Sequence, residues 1–192
     1  LDLLPDGRGD LSNIVLGVTL DDAALRSTRT VSASLERMVH VAVGGASGWG
    51  KSEFLRAVGY QIATAPPAVE MALVDIEAAT FSTFGRADCL RYPIADSEAG
   101  AMAILVDLAG EVSRRKGLFT NHPTADKLSA YNALVVSKLP VIVLLIDEGT
   151  ILLADKAIEQ IIKIVILRAR KYGIYAIIGG QSWKASDFDT TI

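Results

Sequence analysis

The chain has 192 residues, is 51% hydrophobic, and carries 19 Lys and Arg against 22 Asp and Glu for a formal net charge of −3. That length suits one well-buried α/β domain rather than two, and a pI near 5.4 excludes a general polyanion binder, so any nucleic-acid contact must be a local patch. Cys89 is the only cysteine, which excludes a disulfide framework and a cysteine-built metal site; no signal-peptide pattern occurs and no apolar run approaches the about 20 residues that span a bilayer, so a reducing, cytoplasmic setting is expected.

Residues 1–13 mix turn formers with few periodic apolar positions and read as an arm or linker, leaving residues 14–192 as the folded domain. Ile14–Leu20 and Thr28–Ala33, with a turn at Asp21-Asp22, predict a small antiparallel hairpin. Met38–Val43 predicts a strand that runs into glycines, and Ser52–Ala65 a helix stopped by Pro66-Pro67. Val69–Ile76 reads as a buried strand with Asp75 and Glu77 at its end, and Phe81–Gly85 as a short connection. Asp96 is the expected N-cap of a helix reaching about Lys116, its apolar face made of Ala99, Met102, Ala103, Leu105, Val106 and Val112. Lys127–Lys138 predicts a helix turning Leu128, Tyr131 and Leu134 inward. Val141–Ile146, an apolar run ending in Asp147-Glu148, has the pattern of a central parallel strand. A helix over 158–172 and a strand over 174–178 follow, the latter ending at Gly179-Gly180-Gln181. Alternating strands and helices imply a mainly parallel sheet covered on both faces, with ligands beyond the carboxyl ends of its strands. Asp75, Asp147, Glu148 and Gln181 then belong near the glycines.

Between the first parallel strand and its helix stands Gly45-Ala46-Ser47-Gly48-Trp49-Gly50-Lys51-Ser52, which fits G-x-x-x-x-G-K-[ST]. Gly45, Gly48 and Gly50 let the backbone bend tightly and aim its N–H groups at phosphate oxygens, and the following helix adds the positive end of its dipole. Lys51 would reach the β- and γ-phosphates and Ser52 would offer its hydroxyl to Mg²⁺. Asp147 at the tip of a later strand could hold the same Mg²⁺, and Glu148 beside it could polarise an attacking water. The sequence therefore points to a nucleoside triphosphate such as ATP and to its hydrolysis. Gln181, at the next strand tip, could orient water or sense the γ-phosphate.

Taken in order, Gly-Ala-Ser-Gly-Trp-Gly-Lys-Ser, Leu-Val-Asp-Ile-Glu, Glu-Val-Ser-Arg-Arg-Lys-Gly-Leu-Phe with Tyr131-Asn132, Val-Leu-Leu-Ile-Asp-Glu, and Arg-Ala-Arg-Lys-Tyr-Gly-Ile-Tyr-Ala-Ile-Ile-Gly-Gly-Gln resemble the FtsK/SpoIIIE group. The segment with Arg114-Arg115 and Tyr131-Asn132 carries most of the likeness. The resemblance implies a RecA-like P-loop NTPase working as a hexameric, ATP-driven translocase of double-stranded DNA. By it, Gly45, Gly48, Gly50, Lys51 and Ser52 bind phosphate and Mg²⁺, Asp147 supports the metal, Glu148 activates water and Gln181 is the sensor. Trp49 stands where the group has a small residue, Ile76-Glu77 replaces a proline-lysine, and Gly180-Gln181-Ser182-Trp183 replaces Thr-Gln-Arg-Pro. The last two changes suit the alternative reading, an ATPase of the same type in a protein secretion system. Arg114, Arg115, Lys116, Lys163, Arg168, Arg170 and Lys171 are candidate DNA contacts, and Arg86, Arg91 and Arg170 candidates for completing a neighbouring subunit's site. Starting at Leu1 without a methionine, the chain reads as an excised piece to which a membrane anchor or partner domain could be joined.

Overall fold

In the computed structural model, residues 9–20, 27–65, 69–181 and 183 are described; the Asp21-Asp22 turn, Pro66-Pro67, Ser182 and most of the 1–13 arm lie outside them. The hairpin forms from Ile14–Leu20 (β1) and Ser27–Ala33 (β2), paired antiparallel. Its first strand is fastened to the domain by one side chain. Buried Gln61 accepts from the Val15 N–H at 2.8 Å and donates to the Val15 carbonyl at 2.9 Å, satisfying both ends of its amide. After the hairpin, Ser34 caps a single helical turn, Leu35–Met38 (α1), by accepting from the Arg37 N–H. That turn shortens the next strand: it starts at His40 rather than Met38, after Val39 takes φ of 62° to break the helix.

Four parallel strands make the main sheet: His40–Gly44 (β3), Val69–Asp75 (β4), Val141–Asp147 (β5) and Ile174–Gly180 (β6), in the order β3-β6-β5-β4. Pairing brings their carboxyl ends level, with Asp75 opposite Asp147 and Gly44 opposite Gly180. The outer edge of β4 is covered by the strip 89–95, which exchanges backbone hydrogen bonds with Met71, Leu73 and Asp75 and removes an open edge. Alternate residues of β4 and β5 serve two cores. Val143, Leu145, Met71 and Leu73 meet Leu55, Val58 and Ile62 of Lys51–Ala63 (α2), together with Ile14 and Phe81. Ile142, Leu144, Ile146, Ala72 and Val74 meet Glu98–Thr120 (α3), Leu128–Leu134 (α4), Gly149–Leu152 (α5) and Lys156–Arg168 (α6). Each fully buried Leu or Ile contributes about 1.5–3 kcal/mol, so the sheet is held firmly where its tips carry the polar residues. None of the described helices is long and apolar enough to cross a membrane.

Several boundaries differ from those expected. Ser97, not Asp96, caps α3 by accepting from the Gly100 N–H. The buried stripe of α3 is Ala101, Ile104, Leu105, Leu108, Val112 and Phe119, whereas Ala99, Ala103 and Val106 are exposed. The sequence offers apolar residues all round this helix, and packing on the sheet selects one i, i+3, i+4, i+7 series from them. Helix α4 ends at Leu134, which is exposed, because the Asn132 amide grips the Leu139 backbone at both its N–H and its carbonyl and turns the chain. The helix expected over 158–172 begins at Lys156 under an Asp155 cap and gives way after Arg168 to a 3₁₀ turn, Arg170–Tyr172.

Candidate active site

The glycine loop connects β3 to α2 at the level of the strand tips. Gly48 and Gly50 have φ of 80° and 83°, a region open to glycine and strained for other residues, so the loop's bend depends on them. Gly45 is not in that region, and its backbone would admit a side chain in ordinary contact with Trp49 and Lys51. Ala46 and Ser47 are exposed, and Trp49 is 80% exposed, directed away from any core. Lys51 and Ser52 open α2, whose unpaired N–H groups and dipole face the loop.

Asp147 is the hub across from them. Its Oδ2 accepts from Ser52 Oγ at 2.8 Å and from Thr80 Oγ1 at 2.5 Å, while Oδ1 accepts from the Glu148 N–H at 3.0 Å. Tight packing holds it in place: a Cβ on Gly179 would lie 3.1 Å from Asp147 Oδ1 and 2.9 Å from Leu55, so strand β6 needs glycine there. Glu148 takes the left-handed conformation, with φ of 53° and ψ of 42°, which turns its side chain toward the loop. Its Oε1 lies 3.7 Å from Lys51 Nζ, and its buried Oε2 has no hydrogen-bond partner among the described residues. A carboxylate with one oxygen facing an ammonium and the other unclaimed is placed to accept a proton from water or to hold water in position.

Thr80 is the functional candidate that sequence reasoning missed, and Asp75 is what places it. Rather than facing the loop, the Asp75 carboxylate accepts the N–H groups of Ala79, Thr80 and Phe81 at 3.2, 2.8 and 2.7 Å, folding residues 76–81 into a tight bend. Arg56 of α2 also donates to the Ala79 carbonyl. The available signal was an aspartate at a strand tip followed within six residues by a threonine, too common a pattern to single out.

The oxygens of Ser52 and Asp147 fit a hard divalent cation. Both are hard oxygen donors, and the 2.8 Å hydrogen bond between them brings them close enough to share one cation. Among the described residues no cluster of three His, Cys, Asp or Glu is gathered that could hold a metal ion. Gln181 is exposed just past β6, beside the half-buried Trp183, whose indole lies against Gly44 and Gly180.

The candidate cations separate sharply. Arg115 is fully buried: its Nε donates to Glu111 at 2.6 Å and its Nη1 to the Pro140 and Tyr172 carbonyls at 2.8 and 2.7 Å, so it cannot touch DNA. Arg114 is engaged twice by Glu111, and Lys163 by Glu159. Burial alone would raise the Glu111 carboxyl, yet the hydrogen bonds from Arg114 and Arg115 outweigh it and hold the group at about 2. Arg91 is surrounded by Glu70, Asp107 and Glu111 and is not free to reach a neighbour, whereas Arg86 and Arg170 are exposed. Tyr131 stacks on Phe119, with ring centroids 4.7 Å apart, inside the α3–α4 core.

The FtsK/SpoIIIE family matches residues 23–185. The DNA translocase FtsK of Staphylococcus epidermidis is 27% identical over 165 residues, covering 79% of this chain and 21% of the relative, so the chain spans about a fifth of that protein's length. Among solved structures, EssC (ATPases 2 and 3) from Geobacillus thermodenitrificans superposes with a TM-score of 0.81 at 14% identity, over 96% of this chain and 36% of that one. Thermomonospora curvata EccC (ATPases 2 and 3), solved with a signal sequence peptide, gives 0.69 at 17% identity over 94% and 30%. The fold is that of RecA-like P-loop ATPases, and the chain belongs to the FtsK/SpoIIIE family.

Proposed function

We propose that residues 14–192 form one ATPase domain that hydrolyses ATP with Mg²⁺ and, assembled into a ring (a hexamer by the family resemblance), moves double-stranded DNA. The observation that carries the catalytic part is the convergence of Ser52, Thr80 and the Glu148 N–H on one carboxylate, with Lys51 and Glu148 facing each other 3.7 Å apart beside the loop. The N–H groups of residues 45–52 and the Lys51 ammonium bind and orient the phosphates. Mg²⁺, held by Ser52 and Asp147, would neutralise charge between the phosphates. Thr80 orients Asp147, and Glu148 takes the proton of the attacking water or aligns it. A γ-phosphate would compete with Glu148 for Lys51, which would release the carboxylate toward water. Gln181, exposed at the tip of β6, is free to report phosphate occupancy to a neighbouring subunit.

DNA as cargo is supported by the name of the Staphylococcus relative. A polypeptide cargo is the second reading: Glu77 is an exposed anion where the family has a cation, and the EccC structure holds a signal peptide. The test is ATP binding and steady-state hydrolysis with and without long duplex DNA. Lys51→Ala should weaken nucleotide binding, while Glu148→Gln should keep it and slow hydrolysis about 10²–10⁴-fold. Equal turnover by the glutamine variant would sink the role of Glu148. Turnover indifferent to DNA would move the cargo to polypeptide.

A further inference from the structure

Once buried and paired side chains are set aside, four cations of the candidate DNA contacts remain: Lys116, Arg168, Arg170 and Lys171. All four line one groove of about 660 Å³, between the C-terminal half of α3, the end of α6 and the 3₁₀ turn that leads into β6. Each is exposed, and among the described residues none of them forms an ion pair. Among the described residues no acidic side chain lines the groove. On the two helices that flank it, Glu111 is engaged by Arg114 and Arg115, and Glu159 by Lys156 and Lys163. Glu36, bound to Lys127, and Asp126 line the adjoining groove, which shares Arg170 and Lys171. Four cations that form no ion pair among the described residues, with Lys171 Nζ also lying 5.0 Å over the Tyr172 ring, are a local feature on a chain of net charge −3.

We infer that this groove binds the phosphate backbone of double-stranded DNA, at the pole of the sheet opposite the nucleotide site. The inference rests on the DNA-translocation reading. It names a surface outside the catalytic machinery, separated from it by the seven-residue length of β5 and β6, about 20 Å. The groove offers charge and little else. Val112 and Tyr172 beneath it are only 4% and 3% exposed, and Leu167 is its one exposed large apolar side chain. A protein partner draws its affinity from apolar or aromatic anchors in a well-packed centre, and this groove has no pocket for one. A regular row of phosphates needs only cations spread along a channel, and Arg168 and Arg170 can each bind a phosphate through two N–H groups. The assignment uses Arg170 for cargo, leaving Arg86 as the exposed candidate for a neighbour's nucleotide.

The test is anisotropy of labelled duplex DNA titrated with the full-length protein at several salt concentrations. Four phosphate contacts give a slope of about −3.6 in log affinity against log salt, or a loss of roughly a hundredfold between about 50 and 200 mM. The double variant Arg168→Gln/Arg170→Gln, and separately Lys116→Gln/Lys171→Gln, should each lower that slope by about 2. Nucleotide binding should be unchanged in both, which also reports that they fold. An unchanged slope in both variants, with DNA-stimulated hydrolysis retained, overturns the groove and leaves the motor reading standing. Displacement of DNA from the wild type by polyglutamate at lower charge concentration overturns it in favour of an acidic protein partner. Absence of both DNA binding and DNA stimulation in the wild type removes the groove and the cargo reading together.

Discussion

Arg115→Met is the substitution that most directly separates a DNA-contacting arginine from a structural one. Arg115 is 0% exposed and spends its guanidinium on Glu111 and on the carbonyls of Pro140 and Tyr172, at the points where the chain enters β5 and leaves the 3₁₀ turn before β6. Removing one partner of a buried ion pair costs about 3–5 kcal/mol, the lower end applying here because Arg114 still holds Glu111. Two carbonyls left without donors add to this, and the total expected is about 4 kcal/mol, a large share of the about 5–15 kcal/mol that holds a domain folded. With a urea dependence of about 2 kcal/mol per molar, the unfolding midpoint should fall by about 2 M. Arg115→Lys should recover only part of this, since an ammonium cannot fork to three acceptors at fixed angles. A midpoint shift below about 0.5 M would refute the assignment. So would loss of DNA binding by Arg115→Met at unchanged stability, since that places the residue at the surface.

The same cluster sets an acid limit. The folded-state pKa of Glu111 is depressed from 4.5 to about 2, so its contribution is fully present above pH 4.5 and is lost as pH falls toward about 2. By linkage that contribution is about 3 kcal/mol, and urea midpoints across this range should be steeper in the wild type than in Glu111→Gln. At the candidate active site, Thr80→Val keeps the side-chain shape and removes one donor to Asp147, an interaction with a charged acceptor worth about 1.5–3 kcal/mol. The Mg²⁺ concentration for half-maximal hydrolysis should rise about tenfold or more with the fold intact, as followed in an Mg²⁺ titration. An unchanged Mg²⁺ requirement would mean that Asp147 is oriented by Ser52 and the Glu148 N–H alone.

The parallel sheet was readable because its signals are local and repeated: apolar strand runs, acids at two strand tips, and a glycine loop between strand and helix. Boundaries were less readable where side chains decide them. Ser34 winds a turn ahead of β3, Ser97 outcompetes Asp96 as a cap, and Asn132 stops α4 by holding Leu139 from seven residues away. In the candidate site, the pairing of Ser52 with Asp147 follows from two motifs that meet at the carboxyl ends of the strands. Thr80 could not be found this way, because its position depends on three N–H groups that converge on Asp75.

Arg114-Arg115 and Tyr131-Asn132 mark the chain most narrowly, and a basic pair in a translocase invites a cargo role. Yet Arg115 ties α3 to the starts of β5 and β6, Arg114 is held on Glu111, Tyr131 is stacked on Phe119, and Asn132 fixes the turn into β5. Their work is to brace the amino ends of the central strands. The carboxyl ends of those strands lead into Asp147 and Gln181, so a brace of this kind holds the tips that carry the candidate site in register from the far side of the sheet. The exposed cations at that braced pole include Lys116, Arg168, Arg170 and Lys171, which stand on the same α3–α6 framework that Arg115 secures, and the proposed cargo contact rests on them.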